Sequence, residues 1–557
     1  MSPALVDPKT WTERTTTPRL LTEQAQRLGD KAFVRFPRDG VELSYAGLAR
    51  MGEAGSSRLR GEFAIEAARM AAIFLPNGAG FLTSWAVSSF AGLVDIPINH
   101  EYRKTQLRFA LSTAGAEVVF TNPEGMERLL DEEVRSYLPQ VRVIVLDQHE
   151  PVAQAVERLR AQGVAPHVIR LSDLVAGDKR ERLWESVRGT QLASIRYSSG
   201  TTGVPKGVMS SHVHLLNGSA NHVRGMRYEE RDVLYTPFPL HHSLAGTMGF
   251  FGTLQAGGTM VCATRFSASR YWKEAAESGA TLAQILYPLL PILLAQPPSP
   301  HDRGHAVRYC WTAWPHPDFE ARFGTTLVQI YGLTEVGIVS YRHGNPDSAS
   351  RSAGKPFADM EVAIVDELGR PVATGVEGEI TVRPREPENI MQGYYNNFAA
   401  TSRALRNLRL NTGDRGFVDA AGELHFLGRM GDAIRRRGVN ISSEQIDEEL
   451  MRHQNVRECA AIGVPSELGE EDIKILLVWR EKPGDVDAAL EGLVRFMQER
   501  LPRDYVPRYV EIVDAIPRTD NGKFRKAELR SRKDVGATWD REKRAWRQQP
   551  IELQQRR

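Results

Sequence analysis

Short apolar runs alternate with helix-length amphipathic stretches from about residue 30 to residue 150. The alternation resumes at residue 192 and continues to about residue 331. Because buried parallel strands read as short apolar runs joined by helices, this pattern predicts an α/β fold with largely parallel sheets. The predicted strands are Ala32–Phe36, Met70–Leu75, Val94–Ile98, Val118–Thr121, Val141–Leu146, Leu192–Tyr197, Val233–Pro237, Thr281–Leu286, Val307–Trp311 and Leu327–Tyr331, and the predicted helices include Tyr45–Leu59, Arg103–Ala114 and Ser211–Arg224.

The pattern changes near residue 360, where short apolar runs are separated by Asp/Gly turns. Turns of this composition between short strands are typical of a β-rich subdomain. Beyond residue 438 a further set of elements predicts a compact α+β domain, and its clearest member is an amphipathic helix. The apolar face of that helix carries Leu490, Leu493, Met497 and Leu501, and the predicted strands of the two regions are Glu361–Val365, Gly378–Val382, Glu423–Leu427, Cys459–Val464 and Ile473–Trp479.

These patterns together predict the domain organisation. A chain of 557 residues exceeds one ordinary core, so two or more domains are expected. We expect a large N-terminal domain over residues 1–431 that contains two α/β subdomains and the β-rich one. A small, mobile α+β domain is expected over residues 432–535, and a charged tail over residues 536–557. The charged composition from about Ser531 is typical of partly disordered chain.

Composition restricts the location and the partners of the protein. The 71 basic and 69 acidic residues leave a net charge of +2, so nothing favours a nucleic acid or an anionic membrane. The three cysteines are far apart and fit neither a metal site nor a disulfide framework, which indicates a reducing, cytoplasmic location. The N-terminus lacks a signal-peptide pattern, and no apolar run is long enough to span a bilayer. The oligomeric state stays open, with a homodimer as one option.

The segment Tyr197–Val208 carries the strongest chemical signal. Residues Ser198–Thr202 offer only hydroxyls or no side chain at all, and Gly203 and Lys206 follow. Glycines let a backbone approach an anion, hydroxyls add donors and the lysine adds positive charge, so the segment predicts a polyphosphate loop for ATP. It is not the common P-loop, because proline and glycine flank the lysine. The alternative is a Ser/Thr/Gly linker, but a linker needs neither the apolar strand that leads in nor the Pro-Lys-Gly ending.

Two further loops carry groups that can bind a nucleotide. Thr334 and Glu335 follow a predicted strand; a threonine hydroxyl can bind an α-phosphate, and a carboxylate beside it can bind Mg²⁺. Asp414 lies in the loop Thr412-Gly-Asp414, where a carboxylate can accept both ribose hydroxyls. Taken alone, the Thr334–Glu335 motif is weak, and a plain Asp turn is the favoured interpretation of the Asp414 motif.

Three other features are weak by themselves. Positive charge is concentrated at Arg429 and at Arg435–Arg437, and such a run usually forms a solvated face. The turn Pro517–Lys523 presents a lysine that would ordinarily be a surface residue. His241 and His242 are adjacent, but no third candidate ligand lies at a sequence spacing typical of a metal site. A role as the wall or gate of a pocket is therefore favoured over a metal site.

In this order, the motifs resemble those of the adenylate-forming superfamily, which contains acyl-CoA synthetases, luciferases and the adenylation domains of peptide synthetases. The resemblance covers roughly residues 20–530 and rests on the ordered set of motifs rather than on any one of them. Segments such as Phe266–Arg270, Leu289–Leu294 and Gln296–Pro300 are most similar to the carnitine/crotonobetaine–CoA ligase-like branch.

The resemblance implies that ATP activates an acid as its adenylate, with release of pyrophosphate, and that CoA then accepts the acyl group. Charge develops at the α-phosphate, so catalysis consists mainly of positioning and electrostatic stabilisation. The implied catalytic residues are Lys206, Thr334, Glu335 and Lys523, with Glu335 as the Mg²⁺ ligand and Lys523 bridging the acid carboxylate and the α-phosphate. The implied ATP-binding residues are Ser198, Ser199, Gly200, Thr201, Thr202, Gly203, Lys206, Tyr331, Asp414 and Arg429.

The resemblance also implies a domain rotation between the two half-reactions. The small domain would turn about the hinge Asp432, which withdraws Lys523 and brings the thiol tunnel around Gly438 to the adenylate. The cluster Arg435–Arg437 would help to hold CoA phosphates. The substrate-pocket residues implied by position are His242, Thr312, Trp314 and Ile338.

The chain departs from the family in the segment Tyr309–Pro315. A Gly-Gly-Ala-Pro-like adenine loop is usual there, whereas this chain has the bulky Trp311 and Trp314. One interpretation is an indole that stacks on adenine. The other is a pocket reshaped for a small or aromatic acid, or an unusual second half-reaction. Gly431 also stands where a lysine is common, which puts the fine control of the rotation in question.

The leading hypothesis is therefore an ATP-dependent acid–CoA ligase that forms an acyl-adenylate. The first alternative is a CoA-independent adenylate-forming enzyme, which would transfer the acyl group to an amine or a carrier protein, or would activate nitrite as an ATP-dependent diazotase. The second alternative is a degraded nucleotide-binding protein. The intact Lys206, Thr334, Glu335, Asp414 and Lys523 argue against degradation.

Overall fold

The computed structural model contains two compact units. The first comprises the described residues up to Ser198 together with residues 206–362 and 382–410, and the second comprises residues 363–381 and the described residues from Asn411 onward. No helix among the described residues is both long and apolar enough to cross a bilayer. The structure describes residues 13–147, 152–198, 206–286, 289–312, 316–343, 352–430, 433–436, 439–466, 471–501, 505–518, 524–532 and 536–547.

Strands and helices are numbered along the chain. The strands are β1 (Ala32–Phe36), β2 (Val41–Ser44), β3 (Met70–Phe74), β4 (Val94–Pro97), β5 (Val118–Thr121), β6 (Val143–Leu146), β7 (His167–Arg170), β8 (Leu192–Ser198), β9 (Lys206–Ser211), β10 (Val233–Thr236), β11 (Thr259–Cys262), β12 (Leu282–Gln284), β13 (Tyr309–Thr312), β14 (Thr326–Leu333), β15 (Gly337–His343), β16 (Lys355–Pro356), β17 (Met360–Val365), β18 (Gly378–Pro384), β19 (Gly393–Tyr394), β20 (Leu405–Arg406), β21 (Arg409–Val418), β22 (Leu424–Arg429), β23 (Ala433–Arg436), β24 (Val439–Ser442), β25 (Val456–Pro465), β26 (Glu471–Trp479), β27 (Tyr509–Ile512), β28 (Thr538–Asp540) and β29 (Ala545–Arg547). The helices are α1 (Thr17–Leu28), α2 (Tyr45–Gly61), α3 (Ala79–Phe90), α4 (Lys104–Ala114), α5 (Pro123–Leu129), α6 (Glu132–Arg135), α7 (Val152–Ala161), α8 (Leu171–Val175), α9 (His212–Met226), α10 (Gly252–Ala256), α11 (Tyr271–Glu277), α12 (Leu290–Leu294), α13 (Pro317–Phe323), α14 (Phe398–Ala404), α15 (Ser443–Met451), α16 (Val486–Arg500) and α17 (Lys526–Ser531). A π-helix spans Leu244–Phe251.

The first unit is built on two sheets whose strands alternate with helices. One sheet has the strand order β19-β9-β8-β4-β3-β5-β6-β7, and the other has the order β16-β15-β14-β13-β12-β10-β11-β1-β2. In the first sheet, the neighbouring strands along β8-β4-β3-β5-β6-β7 pair in parallel. In the second sheet, the neighbouring strands along β14-β13-β12-β10-β11-β1 pair in parallel. These parallel sheets, with helices between their strands, confirm the predicted α/β class. The sequence could predict it because strands buried on both faces are apolar along their whole length.

Three smaller sheets make up the β-rich region and the C-terminal α+β region, and one of them is the two-stranded pair β23-β24. The strands predicted between Asp/Gly turns lie in a five-stranded sheet of order β17-β18-β21-β20, with β22 paired to β21. In the second unit, β25 to β29 follow one another in a second five-stranded sheet. Its core includes Ile446 and Leu450 of α15 and Leu490, Leu493 and Met497 of α16. The predicted domain boundary at residue 431 stays a prediction.

The prediction of a charged tail from residue 536 is wrong for the first part of that segment, which forms two strands. Strands β28 and β29 pair antiparallel there, and β28 also pairs with β27. Trp539 is 3% exposed and packs in the core, while Asp540 is fully buried beside Arg508. One buried indole and one buried ion pair are enough to hold a segment whose average composition is polar. Residues 548–557 of the expected tail lie outside the described residues.

Helix α9 belongs to the first unit and is buried on nearly all of its sides. It begins at the N-cap Ser211, whose hydroxyl accepts a hydrogen bond from the backbone of His214 at 3.1 Å. Every residue of the helix except Arg224 is buried. The helix packs against β15, the π-helix and α10. The helix therefore lies in the core of the first unit, although it carries three histidines and two asparagines.

Three buried histidines on α9 predict that the protein loses stability in mild acid. Burial lowers the pKa of His212 and His222 to about 3 and that of His214 to about 4. The unfolded chain, with a histidine pKa near 6.5, therefore binds more protons than the folded one below that pH. Each histidine should remove roughly 2 kcal/mol from the free energy of unfolding between pH 7 and pH 5.

Urea unfolding measured at pH 7, 6 and 5 tests this loss of stability. The variant His214→Asn, which cannot take up a proton, should lose less stability over the same interval than the wild-type protein. Equal losses in the two proteins would show that His214 stays neutral in both folded and unfolded states or is protonated in both.

The cysteines are buried and unpaired. Cys262, Cys310 and Cys459 are free thiols with at most 1% of their surface exposed. Burial raises the pKa of Cys310 to about 12 and raises the pKa values of Cys262 and Cys459 as well. The three thiols therefore stay protonated at neutral pH, and their role is packing.

Candidate active site

The predicted polyphosphate loop joins two paired strands of the first unit. Strand β8 ends at Ser198 and β9 begins at Lys206, and these two residues are partners in the antiparallel pair. The Nζ atom of Lys206 lies 5.1 Å from the ring centroid of Tyr394, so the ammonium faces an aromatic ring. The side chain of Ser198, and the predicted ligands Ser199, Gly200, Thr201, Thr202 and Gly203, lie outside the described residues.

A buried charged group holds β8 in place behind the loop. Arg196 is 4% exposed, and its Nη1 atom donates to the carbonyls of Leu240 and His241, each at 3.4 Å. Asp95 on the neighbouring β4 accepts a 2.8 Å hydrogen bond from Ser194. Burial raises the pKa of Asp95 to about 6, against the opposing pull of Arg196. The guanidinium thus links the loop strand to the segment that carries His242.

Thr334 and Glu335 lie in the turn between β14 and β15. The Oγ1 atom of Thr334 is 3.1 Å from Oγ of Ser243, within hydrogen-bond distance. One carboxylate oxygen of Glu335 accepts a 2.8 Å hydrogen bond from the hydroxyl of Tyr394. Its backbone carbonyl accepts a second bond, also 2.8 Å, from the amide of Met391. The carboxylate is therefore oriented before any cation binds.

Tyr394 and Ser243 are site residues that the sequence analysis missed. Tyr394 contacts both Lys206 and Glu335, so one side chain joins the loop lysine to the predicted metal ligand. Ser243 contacts Thr334 and precedes the π-helix. The only sequence signals are a Gly-Tyr pair and a serine after two histidines, neither of which indicates a site.

The close approach of α9 to the turn depends on two glycines. Gly337 has a φ angle of 72°, and a Cβ atom there would collide with the Cα of Gly218 on α9. Nearby, Tyr331 on β14 is 7% exposed. The strand β15, which follows the turn, is therefore pressed against the buried helix, and this contact fixes the position of the turn.

The predicted acid-pocket residues occupy the same unit. Thr312 ends β13 and is 1% exposed, and Ile338 in β15 is fully buried. The carbonyl of Ile338 accepts a 2.9 Å hydrogen bond from Asn221 of α9. His242 is half-buried, and its Nδ1 atom accepts from the amide of Leu244 at 3.3 Å. Trp314 lies outside the described residues.

The predicted ribose ligand lies in the second unit. Asp414 and Arg429 are partners on β21 and β22, and Nη1 of the arginine is 2.9 Å from Oδ1 of the aspartate. Asp414 is 2% exposed, and its amide donates to Oγ1 of Thr412 at 3.0 Å. The amide of Gly413, which has a φ angle of 70°, donates to Glu379 at 3.0 Å. The carboxylate and the guanidinium are thus held as one ion pair.

The basic run near the predicted hinge is partly structural, which corrects its assignment to CoA. Arg436 is 3% exposed, its Nε atom is 3.2 Å from Asp472, and it donates to the carbonyl of Val506. Side chains alternate between the faces of a strand, so this member of the run points inward on β23. A buried arginine that already has a carboxylate partner cannot serve as a CoA phosphate ligand. The hinge Asp432 and the thiol-tunnel residue Gly438 lie outside the described residues.

Lys523 itself lies outside the described residues, but both ends of its loop are held. Arg518 and Phe524 form an antiparallel bridge, and the amide of Arg525 donates to the carbonyl of Pro517 at 3.0 Å. Lys526 is buried, with its Nζ atom 2.5 Å from Asp447 and 2.7 Å from Ser443. The loop therefore starts and ends on a fixed base within the second unit.

Comparison with known proteins identifies the class of the protein. The AMP-binding enzyme family matches residues 21–395, and the C-terminal domain of AMP-binding enzymes matches residues 445–523. The chain belongs to the AMP-binding enzyme family, and the predicted adenylate-forming relationship is confirmed.

Two curated relatives are CoA ligases. The chain is 30% identical over 522 residues to the sulfoacetate–CoA ligase of Cupriavidus necator, covering 92% of this chain and 96% of that protein. It is 27% identical over 468 residues to the crotonobetaine/carnitine–CoA ligase of Citrobacter koseri, covering 82% of this chain and 87% of that protein. The prediction that the protein is an enzyme of the AMP-forming ligase class is confirmed.

Solved structures share the fold across nearly the whole chain. An anthranilate CoA ligase in complex with anthranoyl-AMP has a TM-score of 0.81 at 20% identity, with 94% of this chain and 98% of that chain covered. ATP-bound MatB from Rhodopseudomonas palustris has a TM-score of 0.77 at 23% identity, with 92% and 98% covered. At these identities the likeness concerns the fold, and it confirms a large N-terminal domain with a smaller C-terminal one.

Proposed function

We propose that the protein is an ATP-dependent acid–CoA ligase. The observation that carries the proposal is the near full-length relationship to CoA ligases, combined with a cluster of the expected residues in the first unit. A carboxylate oxygen of the acid attacks the α-phosphorus of ATP, and the bond to pyrophosphate breaks. The thiol of CoA, losing its proton, then attacks the acyl carbon of the adenylate, and AMP leaves.

The residues of the first unit support the adenylation step. Lys206 supplies positive charge for the phosphates that depart as pyrophosphate, and Tyr394 fixes the direction of its stem. Thr334 donates its hydroxyl proton to the α-phosphate, and its oxygen then accepts a hydrogen bond from the hydroxyl of Ser243. Preorganised donors of this kind act mainly where charge develops in the transition state.

Asp414 and Lys523 complete the proposed binding of ATP and the acid. Asp414 accepts the ribose hydroxyls, while Arg429 orients its carboxylate. Lys523 pairs with the acid carboxylate and the α-phosphate, and rotation about Asp432 later replaces it by the face around Gly438.

Glu335 fits a magnesium ligand. Its carboxylate is held by a tyrosine hydroxyl on one oxygen, and oxygen ligands from carboxylates are those that Mg²⁺ prefers. When bound, the cation neutralises charge on the phosphates of ATP. CoA is the proposed acceptor because both curated relatives described above are named as CoA ligases.

Two assays test the proposal with one acid panel that includes sulfoacetate, crotonobetaine and carnitine. Pyrophosphate release in the presence of ATP and Mg²⁺ measures adenylation, and loss of free thiol measures transfer to CoA. Acid-dependent pyrophosphate release followed by stoichiometric thiol loss is expected. Release without thiol loss would exclude CoA as acceptor, and no release with a folded protein would exclude adenylation.

A further inference from the structure

The side chain of Trp311 is half-buried in the first unit. Trp311 is in register with Gln284 on β12 and with Val328 on β14, so these side chains share one face of the sheet. The opposite face, which carries Ala283 and Cys310, packs in a core with α11 and α13. The indole therefore faces α9, and its ring centroid is 5.2 Å from that of His222.

His222 and Gln284 present polar atoms that have no partner among the described residues. Both side chains are fully buried. Neither ring nitrogen of His222 has a hydrogen-bond partner in that part of the chain, and neither does Oε1 of Gln284, whose Nε2 atom donates to Leu244 at 2.9 Å. An unsatisfied buried polar group costs about 1–3 kcal/mol, so a ligand that meets these atoms recovers that free energy on binding.

The π-helix connects these atoms to the proposed site of adenylation. Ser243, which contacts Thr334, immediately precedes the helix. Farther along, a Cβ atom on Gly249 would lie 3.4 Å from the amide of Gln284, and one on Gly252, just after the helix, would lie 3.3 Å from His222. The helix thus runs from the predicted α-phosphate contact to the two unsatisfied side chains. Single-turn π-helical segments occur frequently at functional sites.

We propose that the acid is short and carries a second polar group at its far end. His222 and Gln284 hydrogen-bond to that group, and the indole of Trp311 limits the length of the acid. The inference rests on the proposed function, because it takes the carboxylate of the acid to lie at Thr334. It favours the reshaped acid pocket over an indole that stacks on adenine, since the indole borders the buried His222.

The recognition chemistry follows from the neutral state of His222. One ring nitrogen donates and the other accepts, while the free Gln284 oxygen accepts. A hydroxyl group, which both donates and accepts, meets this combination, whereas a methyl group leaves it unsatisfied and an ionised carboxylate has no proton to donate to the glutamine oxygen. A site that hydrogen-bonds a substrate rejects analogues that lack the polar group more strongly than an apolar pocket rejects analogues of different size.

An acid panel matched in length tests the proposal. Acid-dependent pyrophosphate release is compared for 3-hydroxypropionate against butyrate, with benzoate as a bulky acid. In the wild-type protein, kcat/KM should be at least tenfold higher for 3-hydroxypropionate than for butyrate, about the worth of one hydrogen bond. The variant His222→Leu should lower that ratio about tenfold.

The variant Trp311→Gly provides the test of length. It should raise kcat/KM for benzoate about tenfold or more relative to the wild type, because removing the indole makes room beside His222. A preference for butyrate or benzoate in the wild-type protein, or an unchanged polar-to-apolar ratio in His222→Leu, would overturn the inference and leave the ligase assignment intact. Pyrophosphate release with no acid at all would instead overturn the proposed function.

Discussion

Replacing Lys523 by alanine is expected to abolish adenylate formation and to spare the transfer of a supplied adenylate to CoA. In the proposed first half-reaction the ammonium pairs with the acid carboxylate and the α-phosphate, and loss of one such group costs about 10²–10³ in rate. The base of the loop is held by Arg518, Phe524 and Lys526, so removing the ammonium should leave the backbone in place. Pyrophosphate release measures the first half-reaction, and thiol loss with synthetic acyl-adenylate measures the second.

The matched control is Lys543→Ala, which removes an exposed lysine from the same unit. This variant should keep both half-reactions. Adenylation by Lys523→Ala near the wild-type rate would show that another group bridges the two reacting anions. Equal losses in both half-reactions would show that Lys523 supports the fold or both conformations rather than adenylation alone.

Glu335→Gln is expected to lower pyrophosphate release about 10²-fold and to raise the Mg²⁺ concentration needed for half-maximal rate. The amide keeps the shape of the side chain but lacks the charge that a hard cation prefers. Tyr394→Phe keeps that charge and removes only the 2.8 Å hydrogen bond that orients it, so its loss should be nearer tenfold. Rates measured over a Mg²⁺ titration separate the two effects.

The control for the charge change is Glu132→Gln, an exposed carboxylate of the same unit. It should leave both the rate and the Mg²⁺ dependence unchanged. If Glu335→Gln requires no more Mg²⁺ than the wild-type protein, Glu335 acts by another route than metal binding. If Tyr394→Phe loses more than Glu335→Gln, the tyrosine hydroxyl has a role beyond orienting Glu335, because phenylalanine keeps the ring that Lys206 faces.

The sequence analysis predicted the strands of the parallel sheets well. The interval Leu192–Tyr197 became β8 and Val118–Thr121 became β5, because a strand buried on both faces is apolar along its length. The same reasoning failed at β28, since one buried tryptophan and one buried ion pair do not change the average polarity of a segment. Composition averages over residues, whereas burial is decided residue by residue.

The candidate site was predicted as a set of loops and not as a set of contacts. Glu335 and Lys206 both stand in motifs, yet Tyr394, which touches both, comes from a distant part of the chain. The register that pairs Asp414 with Arg429 is likewise a property of two strands together. Arg436 was read as solvated because its neighbours are basic, whereas strand alternation turns it toward Asp472. Long-range pairing of this kind leaves no local pattern.

The buried cysteines should not react in assays that measure the thiol of CoA. Since Cys262, Cys310 and Cys459 are covered and protonated, a thiol reagent added to the folded enzyme should report on the CoA sulfhydryl alone. For the same reason a cysteine introduced at Lys543 would be the only accessible thiol of the chain. A fluorophore attached there would test the proposed rotation about Asp432, without prior removal of any native cysteine.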